Sequence, residues 1–148
     1  MWLTARRDIV VEAVTKRLFV RAARRPVNVE TGLADLVETL LVAHCRDLLG
    51  FARRAGDAAM GFVRVERLLA SNQAALLLSA SDSSEGGRRK LRASARGVPE
   101  YDRMTAVELG AAFGRAHVVH VAVRKGPLAK ALTVEMNRLA GFRPMPSR

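Results

Sequence analysis

The segment Leu48-Leu49-Gly50-Phe51-Ala52-Arg53-Arg54-Ala55-Gly56 constrains this chain more than any other. An apolar helical run closes on two arginines and is stopped by a glycine. Upstream, Leu33, Leu36, Val37, Leu40 and Leu41 continue the same apolar face, so a helix is expected from a cap at Thr31 to Ala55. Gly56 supplies the left-handed residue on which such helices commonly end. The run over 74–80 is apolar throughout, as a strand covered on both faces must be. A helix handing over to a doubly covered strand already excludes a helical bundle.

The remaining punctuation repeats that alternation. Residues 58–62 read as a short weak strand or turn, and 63–71 as a helix. Ser81 or Ser83 caps a helix over about 85–95, which Gly97 closes. A strand over 98–104 has Pro99 near its start. Thr105 and Glu108 then have the spacing of a capping box, opening a helix that ends at Gly114. A strand over 118–123 and a helix over 128–139 complete the series. The class is α/β, with helices on both faces of a short sheet. Ahead of it, Trp2-Leu3-Thr4 reads as a short strand. It leads into a helix over about 7–23, with an apolar stripe at Ile9, Val10, Ala13, Val14, Leu18 and Phe19, which Pro26 ends.

Charge narrows the function. The chain carries 25 basic against 14 acidic residues, a net +11, and only Lys16, Lys90, Lys125 and Lys130 of the basic residues are not arginine. Guanidinium groups fork onto phosphate and stack on bases, so a polyanionic partner is expected. The alternative is a solvated scatter of charge. The aromatics are too few and too dispersed to build the stacking platform of a single-strand reader, which leaves shape and backbone recognition of structured RNA.

Catalytic and metal signatures are missing. Cys45 is a single thiol on an apolar helical face, which excludes an internal disulfide and a cysteine-based zinc site. His44 has no carboxylate at a ligand spacing, and His117 and His120 would leave a strand on opposite faces. Ser79, Ser81, Asp82, Ser83 and Ser84 form no nucleophile elbow, and a strand exit followed by a helix cap accounts for them. Gly86 and Gly87 before Arg88, Arg89 and Lys90 lack the spacing of a P-loop. No dinucleotide or methyl-donor fingerprint is present. A non-enzymatic protein without metal or cofactor is expected. No run approaches the roughly 20 apolar residues that span a bilayer, and the N-terminus has no signal-peptide layout, so a cytoplasmic location is expected.

Several of these motifs in this order resemble a known family. From Leu48 to about Gly126 the chain resembles the YlxQ-type proteins, bacterial relatives of the kink-turn-binding ribosomal protein superfamily. The resemblance rests on the 48–56 segment, Gly61 before a helix, Leu76-Leu77-Leu78-Ser79-Ala80-Ser81-Asp82, Arg89-Lys90, and Glu108-Leu109-Gly110 with Gly114-Arg115. Residues 2–25 resemble the second half of a YlxR-type domain, and the two modules occur fused in alphaproteobacteria. The Gly-Arg-Gly segment that should precede Trp2 is absent, so 1–27 is expected to be a truncated YlxR-like tail.

The resemblance implies a three-layer α-β-α sandwich over 31–142, with a central four-stranded mixed sheet and a loosely packed N-terminal helix. It also implies RNA binding, ribosomal or other non-coding, with ties to the ribosome, transcription termination or translation. The other reading is an interaction scaffold that docks an acidic protein on its basic face. Kink-turn readers carry Gly-x-Asn-Glu-x-x-Lys; here Gly61-Phe62-Val63-Arg64-Val65-Glu66-Arg67 keeps the glycine and a basic last position but replaces Asn and Glu by Val63 and Arg64. General RNA affinity is implied, and kink-turn specificity is not.

The expected contact lies on one edge, where exposed backbone N–H groups at turns and helix starts adjoin Arg or Lys. It draws on Arg53, Arg54, Gly56, Gly61, Arg64 and Arg67, on the helix start Ser83, Arg88, Arg89 and Lys90, and on Gly114 and Arg115.

Overall fold

Leu76, Leu77 and Leu78 are all fully buried, as a strand flanked by two helical layers requires. The computed structural model describes residues 2–18, 22 and 32–144. Its elements in chain order are α1 (Arg7–Thr15), α2 (Leu33–Arg54), β1 (Ala58–Met60), α3 (Phe62–Ala70), β2 (Ala74–Ser79), α4 (Glu85–Ala95), β3 (Glu100–Tyr101), α5 (Ala106–Ala112), β4 (His120–Arg124) and α6 (Pro127–Phe142). The sheet has four strands in the order β1-β4-β2-β3. β4 runs antiparallel to both β1 and β2, while β3 is parallel to β2. Three strands therefore share one direction and β4 opposes them.

Alternation along the strands separates two cores. Leu76, Leu78, Val121 and Val123 face Leu49 of α2, Leu109 of α5 and Leu132 and Met136 of α6. Leu77 and Ala122 face Val65 and Leu69 of α3 and Leu91 of α4. The result is an α-β-α sandwich with an N-terminal helix. Cys45 lies in the first core, where burial, seconded by Glu135, pushes its thiol up to about 12. It is a packing residue. No described helix is long and apolar enough to cross a membrane.

Helix α2 ends as its sequence requires. Gly56 takes φ +76°, its N–H bonds Arg53 O, and the Asp57 N–H bonds Ala52 O at 2.8 Å. This is a Schellman closure. The capping box also forms: Thr105 Oγ1 accepts from Glu108 N at 3.2 Å, and Glu108 Oε1 accepts from Thr105 N at 2.9 Å.

Several expectations change. Residues 2–4 form no strand, and Trp2 is 99% exposed. Helix α1 stops at Thr15, short of 23, because Arg17 turns to φ 54°. The helix is not loose. Val10 packs on Ala34 and Phe142, Arg7 pairs with Asp35 and Glu38, and Ala5 O presses on the α-carbon of Gly141, where a Cβ would lie 1.9 Å away. The Thr31 cap falls outside the described residues; Gly32 is the N-cap of α2.

The strand expected over 98–104 shrinks to Glu100 and Tyr101. Pro99 has no N–H to give a ladder, and Met104 leaves the sheet for the core. Neither Ser81 nor Ser83 caps α4. The N-cap is Ser84, and the Ser83 hydroxyl donates to Ala80 O. Helix α5 ends at Ala112, and the last strand starts at His120, because the Val118 N–H bonds Ala106 O at the start of α5. Helix α6 is longer than expected at both ends.

Candidate functional site

Because β1, β2 and β3 share a direction, helices α3, α4 and α5 all begin at one edge of the sheet. Three helix N-termini meet there, each a concentration of unpaired N–H groups and positive dipole. They differ in what already occupies them. At α5, Thr105 and Glu108 close the capping box and Asp82 Oδ1 accepts from Ala106 N at 2.9 Å. At α4, Glu85 sits in the first turn and pairs with Arg92 at 2.7 Å. At α3 the cap is Gly61, with no side-chain cap bond and no acid in the first turn. Of these three, only α3 presents its N-terminus without a carboxylate among the described residues.

Arg64 and Arg115 adjoin that end, and Arg53 and Arg67 stand further along β1 and α3. Arg64 and Arg67 stand exposed on α3, and Arg53 on the last turn of α2. Arg115 is exposed on the loop after α5. Among the described residues none of these four enters an ion pair. Gly61 holds φ +88°, a conformation that L side chains rarely adopt, and its N–H bonds His120 O at 3.1 Å.

A cavity of about 520 Å³ opens beside this helix start. Met60, Phe62, Val118 and Val119 give it an apolar lining, and Arg64, Arg115 and His117 give it polar groups. His120 backs it: its ring meets Phe62 edge-on at 6.2 Å, and Nδ1 lies 3.4 Å from Ser79 Oγ. Burial, aided by the charge of Arg88, lowers the His120 pKa against the pull of Glu100. The imidazole is thus held neutral at pH 7, as a packing group for Phe62.

The sequence-chosen residues divide. Arg53, Gly56, Gly61, Arg64, Arg67 and Arg115 line the cavities beside β1 and α3, and Gly114 adjoins Arg53 Nη1. Arg54 turns away, its guanidinium 4.8 Å over the ring of Phe51. Arg88 is buried, with Nη2 on Asp102 at 2.5 Å and Nε on Glu100 at 3.2 Å, so its charge is neutralised inside the fold. Arg89 and Lys90 are exposed on α4. The Ser83 hydroxyl is held by Ala80 O. Among the described residues no three His, Cys, Asp or Glu side chains gather as metal ligands; His44 instead lies 3.3 Å from Glu135.

One positioning residue was not singled out from the sequence for this role. Gly110 lets the loop that carries Arg115 lie directly on α5: a Cβ there would stand 2.6 Å from Arg115 O and 3.0 Å from Ala116 C. Its sequence signals are a glycine inside a helix, five residues before the arginine, and its place in the Glu108-Leu109-Gly110 motif.

No family model matches the chain, and neither does any curated protein sequence. Solved structures do resemble it. A Bacillus halodurans protein of unknown function superposes with a TM-score of 0.58 at 23% identity, covering 63% of this chain and 96% of its own. The Giardia lamblia 15.5kD RNA binding protein superposes with a TM-score of 0.54 at 15% identity, covering 69% of this chain and 89% of its own. Both likenesses are likenesses of fold.

Proposed function

We propose that this chain is a non-enzymatic RNA-binding protein that grips the sugar–phosphate backbone at the start of α3. One observation carries the reading: of three helix N-termini at the sheet edge, the one without a carboxylate is the one that Arg64 and Arg115 adjoin. Dipole, free N–H groups and unpaired guanidinium act together on an anion there. The neighbouring cavity has the apolar lining and polar rim that suit an unstacked base, a feature of structured RNA rather than of a regular duplex. The RNA-binding name of the Giardia neighbour supports the choice of RNA. In this reading the chain is a YlxQ-like module with a YlxR-like N-terminal piece, serving the ribosome or transcription termination from the cytoplasm. Val63, 66% exposed where kink-turn readers place Asn, offers no base-edge hydrogen bond, so contact is expected mainly with backbone and shape.

The test is salt dependence. Affinity for a structured ribosomal RNA fragment should fall linearly on a log–log plot, each neutralised phosphate adding roughly 0.7 to 0.9 to the slope. Pull-down from lysate with and without nuclease separates this from docking to an acidic protein. Capture that survives nuclease, with a flat salt plot for RNA, would point to the protein partner instead.

Gly110 gives a second expected outcome. In Gly110→Ala the added Cβ must push back the Arg115–Ala116 backbone, costing about 1–3 kcal/mol of stability. RNA affinity should fall with it, because the loop moves. Unchanged melting and unchanged affinity would show that the close approach is not needed.

A further inference from the structure

A second and larger concavity, of about 770 Å³, runs along the outer edge of β1. Its floor is the half-buried strand Ala58–Met60. Arg53 closes it from the end of α2, Arg64 and Arg67 from α3, and Arg124 from the end of β4. Among the described residues no carboxylate lines it. Arg53, Arg64 and Arg67 enter no ion pair among the described residues, and Arg124 bonds only the neutral Gln73 side chain there. By contrast, Arg7, Arg88, Arg92 and Arg143 each hold two carboxylates. Four like charges lining one groove give it a positive potential, and an anion entering it relieves their mutual repulsion.

The two concavities are not separate. Met60 and Arg64 line both. An anionic strand bound at the start of α3 therefore meets the groove without a break, at a shared arginine. The three-residue floor is about 10 Å long at about 3.3 Å per residue. Arg53 and Arg124 are thus positioned for phosphates beyond the one at the helix start.

We infer that the RNA backbone continues past Arg64 into this groove, where Arg53 and Arg124 hold a second set of phosphates. The inference rests on the RNA reading above and extends it: the interface is a track with two separable ends. A nucleoside polyphosphate offers the same run of phosphates, and the test distinguishes the two sources.

The full-length chain is titrated with a fluorescently labelled structured RNA at several salt concentrations, as wild type and as the double variant Arg53→Gln/Arg124→Gln. Both side chains are exposed, so the melting temperature should hold. The expected result is a roughly tenfold weaker affinity and a log–log salt slope shallower by about 1.4 to 1.8, the value of two phosphates. The pair Arg53→Lys/Arg124→Lys, which keeps the charges, should keep the slope. A double variant with wild-type affinity and slope overturns the track; if the helix-start arginines still matter, the RNA reading survives. Wild type that binds no RNA overturns both. Labelled ATP is titrated in parallel: micromolar ATP binding, abolished in the Gln variant while its RNA binding is untouched, assigns the groove to free nucleotide and overturns the track.

Discussion

Charge reversal at Arg64 and Arg115 is expected to lower RNA affinity at least about a hundredfold at 0.1 M salt. The two side chains reach the same cavity from different elements, α3 and the loop after α5, and neither has a carboxylate partner among the described residues. A hydrogen bond to a charged group contributes roughly 1.5–3 kcal/mol, so losing two reaches about 3 kcal/mol at the least. Each 1.4 kcal/mol is about tenfold in affinity. Arg64→Glu also puts a carboxylate in the first turn of α3, where it would compete for the N–H groups offered to phosphate. Both positions are exposed, so the melting temperature should move little. The control is Arg54→Glu, an exposed arginine on a different surface and directed over Phe51, with a small expected effect. Equal losses from both variants would reduce the interface to diffuse charge.

Arg143→Met is expected to be strongly destabilising. At the end of α6, Arg143 grips Glu108 with two parallel bonds of 2.6 and 2.8 Å, reaches Glu38 on α2 at 3.2 Å, and donates to Arg103 O. One side chain thus joins α2, α5, α6 and the loop after β3. Its removal leaves the partly buried Glu108 carboxylate without a cation, while Glu38 keeps only Arg7. Breaking a buried pair costs roughly 3–5 kcal/mol, and partial exposure lowers that here to about 2 kcal/mol, or roughly 8 °C in Tm.

The pH dependence follows from Glu108. Burial works against its charge, but the Arg143 bonds, followed by those from Thr105, outweigh it and hold the carboxyl below its usual range. A depressed carboxylate stabilises the fold above its unfolded value of about 4.3 and loses that contribution as pH falls through the folded value. Thermal melts should therefore show a wide gap between wild type and variant at pH 7 that narrows near pH 3. A gap that stays constant would mean that Arg143 acts by packing its stem.

The parts of the fold that were legible in sequence are those written locally. The Gly56 closure, the Thr105–Glu108 box and the β2 run each lie within a few residues, and all three form. Strand β1 was hard to read because Ala58-Ala59-Met60 carries no branched or aromatic signature; it is a strand because Val121 and Val123 pair with it. The insertion of β4 between β1 and β2 is a long-range choice with no local mark.

The basic runs divide for a similar reason. Arg88, Leu91 and Ala95 make the buried stripe of α4, so the first arginine of Arg88-Arg89-Lys90 points inward, toward acids on and after β3. The i, i+3, i+7 spacing was visible; the carboxylates that make burial tolerable were not. Arg53 and Arg54, adjacent in sequence, sit about 100° apart around α2 and therefore serve different surfaces.

The most direct measurement is ultraviolet crosslinking of the full chain to a structured RNA, followed by mass spectrometry of the attached peptides. Crosslinks are expected on residues 60–67 and 115–120, with a second group at 53–56 and at Arg124. Crosslinks confined to the exposed Arg89 and Lys90 face of α4, or to α1, would contradict this placement.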